Sequence, residues 1–422
     1  MTAPESRRSS CAPLVTVAAA LAVCLVSATE ASRAIPGSPA GLEAETRALV
    51  VERTSLATPA SIAALVDIAN TLRFNALVVD ARSFGELHFN QGLEPRAAAL
   101  AGQPPSFDPL AAILAAAHAR GIRVHARVSV TAVASSADLP TARTHVVNAH
   151  PEWLMVPRPL ARDLVLLDAR SQLFLDRLLR WTRAQSPEGS ILYSSPVSGE
   201  AADAVVALVA DLAARYPVDG IHLDDVAFPT AEFDHSRAAL EAFKADALSG
   251  LAEAQRRARE LEVGADLTAW PDAMPDRWIA FRRDRLTALV ARIRQAVRAR
   301  RPATLVSAAV DPDSIAAGRQ HLQDWRAWSD RQLVDVVCPV SRTFESSAFG
   351  AEMTDARAAA GDTPVWIAIG AAQLSVAETV DRIGAARKLG ARGVVIGSYD
   401  SLMSQPDGLD YLTRVARAAF QP

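Results

Sequence analysis

Two adjacent carboxylates, Asp224 and Asp225, end a mostly apolar run that begins at Gly220. Side chains alternate across a strand, so His222 and Asp224 are predicted to share one face of it and Asp225 to lie on the other. An ionised group is costly in an apolar core unless it has a partner or a function. The run therefore predicts a buried strand whose end presents a carboxylate to a cleft, where Asp224 could act as a nucleophile or stabilise positive charge.

Polar side chains also follow the other predicted strands. In chain order they include Asp80, Arg82, Glu86, His125, Arg127, Asp311, Asp313, Ser341, Arg342, Gln373 and Tyr399. The carboxyl ends of parallel strands meet at one rim of a barrel, so these groups are predicted to collect there. Carboxylates carry out glycosidic chemistry, Arg and His bind hydroxyl groups or anionic substituents, and aromatic rings stack on sugar faces. Carbohydrate is therefore the expected ligand class.

The residues predicted to bind the sugar come from these rims and from a helix after the fourth strand. They are Arg82, Glu86, His125, His222, Trp278, Arg282 and Tyr399. The two histidines are interpreted as hydrogen-bonding wall residues rather than acid-base groups. Arg282 could instead be paired within the protein, as helix arginines commonly are.

Two carboxylates compete for the role of proton donor. Strand alternation turns Asp225 away from Asp224 unless the chain leaves the strand at that residue. Asp311 ends the neighbouring fifth strand, and strands lie about 4.8 Å apart, so its carboxyl could reach the separation of roughly 5 to 5.5 Å that retaining glycosidases use. Asp311 is therefore favoured over Asp225, although the run from Asp311 to Asp313 is equally typical of a turn and a helix cap.

Other hydrolytic chemistries find less support in the sequence. His125, His222, Asp224 and Asp225 could together bind a metal, but no His-Glu-x-x-His or similar spacing indicates a metal site. No Gly-x-Ser-x-Gly segment indicates a serine hydrolase. The sequence therefore favours catalysis by carboxylates, without a metal or another cofactor.

The composition is that of a folded protein, since 50% of the 422 residues are hydrophobic and 22% are charged. This share of hydrophobic residues can form a large core and excludes a disordered chain. A net charge of -3 excludes a broad cationic surface, so nucleic acid is not an expected partner. The expected partner is an oligosaccharide or a polysaccharide.

The first 34 residues have the pattern of a secretory signal peptide. Arg7 and Arg8 precede an apolar run from about Leu14 to Val26, which small residues follow. This run is too short for a convincing membrane span, and no other apolar run reaches the required length. Residues 35–45 then form a linker, and the protein is expected to be secreted or periplasmic. Its mature form would keep only Cys338, so no disulfide within the chain is expected.

Eight apolar runs alternate with helical stretches between residues 46 and 420, which is the pattern of parallel βα units. The predicted strands are Ala48–Glu52, Ala76–Asp80, Arg123–Val128, Gly220–Asp224, Thr304–Val310, Val334–Val340, Val365–Ile369 and Gly393–Ser398. This pattern predicts a (β/α)8 TIM barrel with long βα loops, the longest from about Val130 to Gly199. An open doubly wound sheet is the alternative, but no Gly-rich phosphate turn follows any strand.

Several runs along the chain resemble, in the same order, those of the glycosyl hydrolase-like family 10. They are Asn75–Arg82, Gly85–Leu87, His118–Ala126, His150–Leu154, Tyr216–Asp225, Phe281–Asp284 and Gly393–Tyr399. The run at the fourth strand is the most specific, and it is also similar to the nucleophile strand of alpha-amylase-type barrels. This second similarity implies that Asp224 occupies the nucleophile position.

The resemblance implies a glycosidase-like barrel that acts on polysaccharides, including the glycan strands of bacterial cell walls. Three strands depart from the family pattern. The third strand has Arg127 where the family usually has Trp, and the fifth, Ser307–Asp311, departs from the expected Ser-Pro-Phe-Gly kind of ending. The sixth reads Cys338-Pro339-Val340-Ser341-Arg342 where Pro-Gln-x-Tyr-Trp is typical. These changes remove aromatic residues that would contact sugar, so a barrel that binds glycans without cleaving them is the alternative.

Overall fold

Eight parallel strands form the centre of the computed structural model, which describes residues 45–185 and 190–421. The strands are β1 (Thr46–Val51), β2 (Ala76–Ser83), β3 (Arg123–Ser129), β4 (Gly220–Asp224), β5 (Leu305–Val310), β6 (Val336–Pro339), β7 (Trp366–Gly370) and β8 (Gly393–Gly397). The predicted signal peptide, residues 1–34, and all but the last residue of the predicted linker, residues 35–45, lie outside the described residues.

Consecutive strands pair in parallel around a ring. β8 pairs with β1 in a register that aligns Thr46 with Gly393, and β5 pairs with both β4 and β6. Single bridges, Val337 to Val365 and Val340 to Ala368, join β6 to β7 and complete the ring. The predicted (β/α)8 TIM barrel is confirmed.

The strands are apolar on both faces because each face packs against a different core. Along β2, Leu77 and Val79 belong to the large core between the barrel and its helices. Ala76 and Val78 belong to the inner core of the barrel. Residues of opposite parity therefore face opposite cores, as the period of two in a strand requires.

Helices surround the barrel, and several of them lie within the long connections between its strands. They are α1 (Pro59–Thr71), α2 (Pro109–His118), α3 (Val146–Ala149), α4 (Ala161–Leu164), α5 (Gln172–Gln185), α6 (Gly199–Arg215), α7 (Arg237–Leu248), α8 (Glu253–Val263), α9 (Ala269–Ala273), α10 (Pro275–Arg300), α11 (Ser314–Gln320), α12 (Trp325–Asp330), α13 (Ser346–Ala359), α14 (Val376–Lys388), α15 (Tyr399–Met403) and α16 (Gly408–Ala419). Among helices in the described ranges, none has both the length and the apolar character needed to cross a bilayer.

The predicted long loop between β3 and α6 folds into a unit with a core of its own. Its strands, Ala132–Ser135 and Ile191–Tyr193, pair in an antiparallel hairpin. Buried side chains from this hairpin and from α3 to α5 form a separate apolar cluster. Asp234, in the segment after β4, fastens the unit to the barrel by accepting a hydrogen bond from the Val156 amide at 2.8 Å. This unit therefore forms one wall above the strand ends.

Candidate active site

A cleft with two lobes opens at the carboxyl ends of the strands. The large lobe has a volume of about 490 Å³ and is lined by residues from all eight barrel strands. The small lobe, of about 270 Å³, lies over β4 and β5 beside the wall formed by the β3–α6 unit. Both lobes are lined by Asp224, Ala309, Val340 and Arg342. Asp224 is thus a carboxylate at the junction of the two lobes.

Asp224 ends β4 and is held by an arginine of the neighbouring strand. Arg127, on β3, donates from Nε to Oδ2 of Asp224 at 2.5 Å. Burial, the largest single influence, disfavours the ionised form of Asp224. The charge of Arg127, together with His222 and the hydrogen bonds from Arg127 and the Asp225 amide, outweighs burial and holds the pKa of Asp224 below its usual value. Asp224 is therefore ionised at neutral pH, as a nucleophile or a charge-stabilising group must be.

A second buried carboxylate, Asp80 on β2, shares the same arginine. Its Oδ1 lies 3.0 Å from Nη1 of Arg127. Burial raises the pKa of Asp80 to about 7, with further rises from the charges of Glu52 and Asp224, against the lowering effect of Arg127. The guanidinium of Arg127 thus contacts two carboxyl groups whose pKa values are shifted in opposite directions, upward for Asp80 and downward for Asp224. Sequence reasoning placed Asp80 and Arg127 at strand ends but selected neither for the site.

The strand ends at Asp224, and the chain changes direction at Asp225. The side chain of Asp225 can therefore turn toward the cleft, which strand alternation would have prevented. Its φ of +49° is in the left-handed region, where an ordinary side chain is uncommon. Asp225 lines the small lobe, and its Oδ2 accepts a hydrogen bond from Oγ of Ser129 at 2.6 Å. Burial raises the pKa of Asp225, and the negative charge of Asp224 raises it further. Asp225 therefore retains a proton more readily than an exposed carboxyl does.

Asp311 also lines the small lobe, just beyond the end of β5. Its Oδ1 accepts a hydrogen bond from the Asp313 amide at 3.0 Å. The helix cap is Asp313, whose Oδ1 accepts from the amides of Ile315 and Ala316 at the start of α11. The structure brings Asp224, Asp225 and Asp311 together around one lobe.

The two predicted histidines lie at different depths. His222 lines the large lobe and its Nδ1 lies 2.9 Å from Oγ of Ser307, while burial lowers its pKa to about 4. His125 is fully buried below the cleft, where its ring meets that of Trp366 edge-on at 5.1 Å and burial lowers its pKa to about 3. Both rings are therefore neutral at pH 7, and His125 lines neither lobe. No group of three or more metal-ligating side chains occurs in the described part of the chain.

Arg82 and Glu86 are engaged by the loop after β2 rather than by the cleft. Arg82 is buried, and its Nε and Nη2 each lie 2.7 Å from a carboxylate oxygen of Glu94. Oε2 of Glu86 accepts a hydrogen bond from the Ala98 amide at 3.2 Å. Neither side chain lines the two lobes. These contacts position the loop.

Trp278, Arg282 and Tyr399 are likewise buried away from the lobes. Arg282 donates from Nη1 to the Ala231 carbonyl at 2.7 Å, and its guanidinium lies 4.5 Å from the Trp278 ring. The hydrogen bond to Ala231 connects the segment after β4 to α10. Tyr399 begins α15, and its neighbour Asp400 accepts hydrogen bonds from backbone amides after β1.

The cleft contains side chains that sequence reasoning did not select as ligand-binding. Phe344 lines the large lobe with 59% of its surface exposed, and Tyr193 lines the small lobe. Arg342, after β6, lines both lobes. An exposed aromatic residue in a polar loop is a signal that could have identified Phe344, because such a side chain has no core to fill.

The sequence model of one family, described as Glycosyl hydrolase-like 10, matches residues 49–383. No curated protein sequence matches the chain.

Solved structures of similar fold include the glycoside hydrolase domain of PgaB (BpsB) from Bordetella bronchiseptica, 15% identical with a TM-score of 0.58, covering 88% of this chain and 99% of that one. The catalytic domain of a beta-amylase from Paenibacillus polymyxa is 10% identical with a TM-score of 0.57, covering 88% and 98%. A beta-galactosidase from the psychrophilic Marinomonas ef1 is 13% identical with a TM-score of 0.58, covering 88% and 59%. At these identities the similarities show the fold.

Proposed function

The chain belongs to the glycosyl hydrolase-like 10 family, and we propose that it hydrolyses glycosidic bonds of a polysaccharide or oligosaccharide. The observation that carries the proposal is the position of Asp224, a carboxylate that both lobes share and that Arg127 keeps ionised. A glycan lying along the cleft would occupy one lobe on each side of Asp224. The bond next to Asp224 is then the one that is cleaved.

Asp224 would act on the sugar ring itself. Glycoside hydrolysis passes through a transition state that carries positive charge on the ring. Asp224 attacks the anomeric carbon or stabilises this charge, and both roles need the ionised form that the ion pair with Arg127 favours. His222, neutral and hydrogen-bonded to Ser307, lines the same lobe as a partner for a sugar hydroxyl.

The leaving oxygen needs a proton, and Asp225 and Asp311 both lie in the small lobe where that oxygen would be. We favour Asp225, because burial and the charge of Asp224 raise its pKa, as a general acid requires. This choice differs from the sequence-based preference for Asp311. That preference assumed that Asp225 continues the alternation of the strand, whereas the strand ends at Asp224.

The test is hydrolysis of a panel of reducing-end-labelled glycans, including bacterial cell-wall glycan strands, by the wild-type protein and by Asp224→Asn. We expect Asp224→Asn to lose on the order of 10³-fold or more in kcat, because a neutral amide cannot stabilise the positive charge. Asp410→Asn is the matched control, since Asp410 lies on α16 with its side chain 69% exposed. Full activity of Asp224→Asn on a hydrolysed glycan would remove Asp224 from the mechanism. Binding of glycans by the wild type without product release would support a non-catalytic glycan-binding barrel.

We further propose that the protein works outside the cytoplasm, in the periplasm or after secretion, because residues 1–34 have the pattern of a signal peptide. The N-terminal sequence of the protein recovered from the producing cells checks this. A mature N-terminus between about Thr29 and Ile35 is expected, and a chain that still begins at Met1 would contradict export by this route.

A further inference from the structure

The large lobe contains a buried arginine that lacks an acidic partner among the described residues. Arg382, on α14, is 4% exposed and lines this lobe. Its Nη2 donates to the Phe344 carbonyl at 2.8 Å, its guanidinium lies 4.5 Å from the Phe349 ring, and its Nε has no hydrogen-bond partner in the described part of the chain. A buried cation is costly unless a counter-charge compensates it.

The carboxylate best placed in sequence to pair with Arg382 is engaged elsewhere. Glu378 precedes Arg382 by four residues on α14, the spacing at which helix ion pairs form. Its Oε2 instead accepts hydrogen bonds from the amide and the hydroxyl of Ser375, at 2.8 and 2.7 Å, and so caps the helix. Glu378 therefore forms no ion pair with Arg382.

A second arginine faces the same lobe. Arg342 lies in the loop after β6, is exposed, and has no ion pair with any described residue. The nearby carboxylate of Glu352, on α13, accepts a hydrogen bond from Oγ of Ser341 at 2.6 Å. Besides Arg127, the large lobe is therefore lined by Arg342 and Arg382, and neither of these two forms an ion pair with a carboxylate in the described ranges.

The two arginines come from other barrel strands and loops than the reacting carboxylate does. Arg342 follows β6 and Arg382 lies on the helix after β7, whereas Asp224 and Arg127 belong to β4 and β3. Strands follow one another around the ring, so Arg382 comes from the part of the barrel opposite β3, whereas only β5 separates β4 from β6 and Arg342 lines both lobes together with Asp224. The large lobe is also lined by Phe344, whose exposed ring offers a stacking face for a sugar.

We propose that the large lobe binds a sugar that carries an oxyanion substituent, a carboxylate or a sulfate, and that Arg342 and Arg382 are its ligands. A planar guanidinium recognises such a group through charge-assisted and often paired hydrogen bonds. Thr343, Gln373 and Ser401 line the same lobe and add hydrogen-bonding groups. The inference rests on the proposed function only in placing this sugar next to the bond that is cleaved.

The experiment is titration calorimetry with Asp224→Asn, which binds glycans without consuming them if the proposed function holds, and with the wild type. The probes are an oligogalacturonate, a sulfated galactose oligosaccharide and the uncharged galactose oligosaccharide of equal length. We expect at least one charged probe to bind about tenfold or more tightly than the uncharged one, because hydrogen bonds to charged groups are worth more than neutral ones. The charged probe that binds more tightly identifies the substituent.

Variants assign the effect to the two arginines. In the Asp224→Asn background, Arg342→Gln and Arg382→Gln should each remove most of the preference for the charged probe and leave binding of the uncharged one within a few-fold. Arg342 is exposed, so its variant keeps the test decisive if Arg382→Gln fails to fold. Arg414→Gln is the control, because Arg414 lies on α16 with its side chain 63% exposed.

The outcomes separate this inference from the proposed function. Equal binding of charged and uncharged probes, or a preference that survives Arg342→Gln, overturns the oxyanion site even if the wild type hydrolyses glycans. A preference that disappears with the arginine variants supports the site, even if the wild type releases no product from any probe.

Discussion

Arg127 and Asp224 form the ion pair on which the cleft chemistry depends, with Nε 2.5 Å from Oδ2. Arg127 also contacts Asp80, through Nη1 at 3.0 Å. Its charge is therefore divided between a carboxylate at the lobe junction and one buried beside it. Four expectations follow from this cluster and from the strands that hold it.

Removing the charge of Arg127 should raise the pKa of Asp224, because burial would then lose its largest opposing contribution. We expect Arg127→Met to move the acid limb of the kcat/KM profile to higher pH, since activity needs ionised Asp224. Arg127→Lys keeps the charge and should move it less. The measurement is the pH profile on a hydrolysed glycan, at a temperature where circular dichroism shows both variants folded. An acid limb in Arg127→Met identical to the wild type would disprove the role of this pair.

The proton donor can be identified by how strongly the effect of its replacement depends on the leaving group of the substrate. Replacing a general acid slows substrates with poor leaving groups far more than activated aryl glycosides. We expect this pattern for Asp225→Ala and a similar, small effect on both substrate types for Asp311→Ala. The reverse result would assign the acid to Asp311. Absence of the pattern in both variants would mean that neither carboxyl donates the proton.

The unfolding free energy should depend on pH through Asp80. Its pKa in the folded protein is about 7, against an ordinary 3.8, so the folded state keeps a proton that the unfolded state loses. The contribution of Asp80 is therefore fully present below about pH 4 and is lost as the pH rises toward and through about 7.

Asp80→Asn should remove this part of the pH dependence. Urea unfolding of the wild type and of Asp80→Asn at several pH values between 4 and 8 measures the difference between the two proteins. Buried carboxyls that do not interact with Asp80 or Arg127 contribute equally to both proteins and cancel. Parallel stability curves would show that Asp80 does not titrate in this range.

Gly220 should be essential for the packing of His125 inside the barrel. A Cβ at this position would lie 2.0 Å from Nδ1 and 2.6 Å from Cε1 of the His125 ring, so the ring would have to shift. We expect Gly220→Ala to lower the unfolding free energy by about 1–3 kcal/mol, as overpacked cores do. In the His125→Ala background the same change should cost much less. Equal costs in both backgrounds would mean that the two positions do not interact.

The fold and the principal carboxylate could be predicted from the sequence because both depend on local pattern. A run of apolar residues over five or six positions predicts a buried strand, and each barrel strand has such a run. Asp224 was identified because a carboxylate at the end of such a run has few structural explanations. These inferences need no knowledge of which side chains are distant neighbours.

The remaining site was decided by contacts between residues far apart in the chain. Arg82 and Arg282 are the same residue type as Arg127, yet Glu94 and backbone carbonyls engage the first two, while Arg127 meets Asp224, 97 residues away. Asp225 faces the small lobe because the strand ends at Asp224 and the backbone of Asp225 has a positive φ. The residue types around this position do not predict that backbone change. The sequence by itself determined the barrel and the carboxylate at its rim. Only the tertiary structure decided which charged side chains remain free for a ligand, because pairing depends on loop paths and on neighbours brought together by folding.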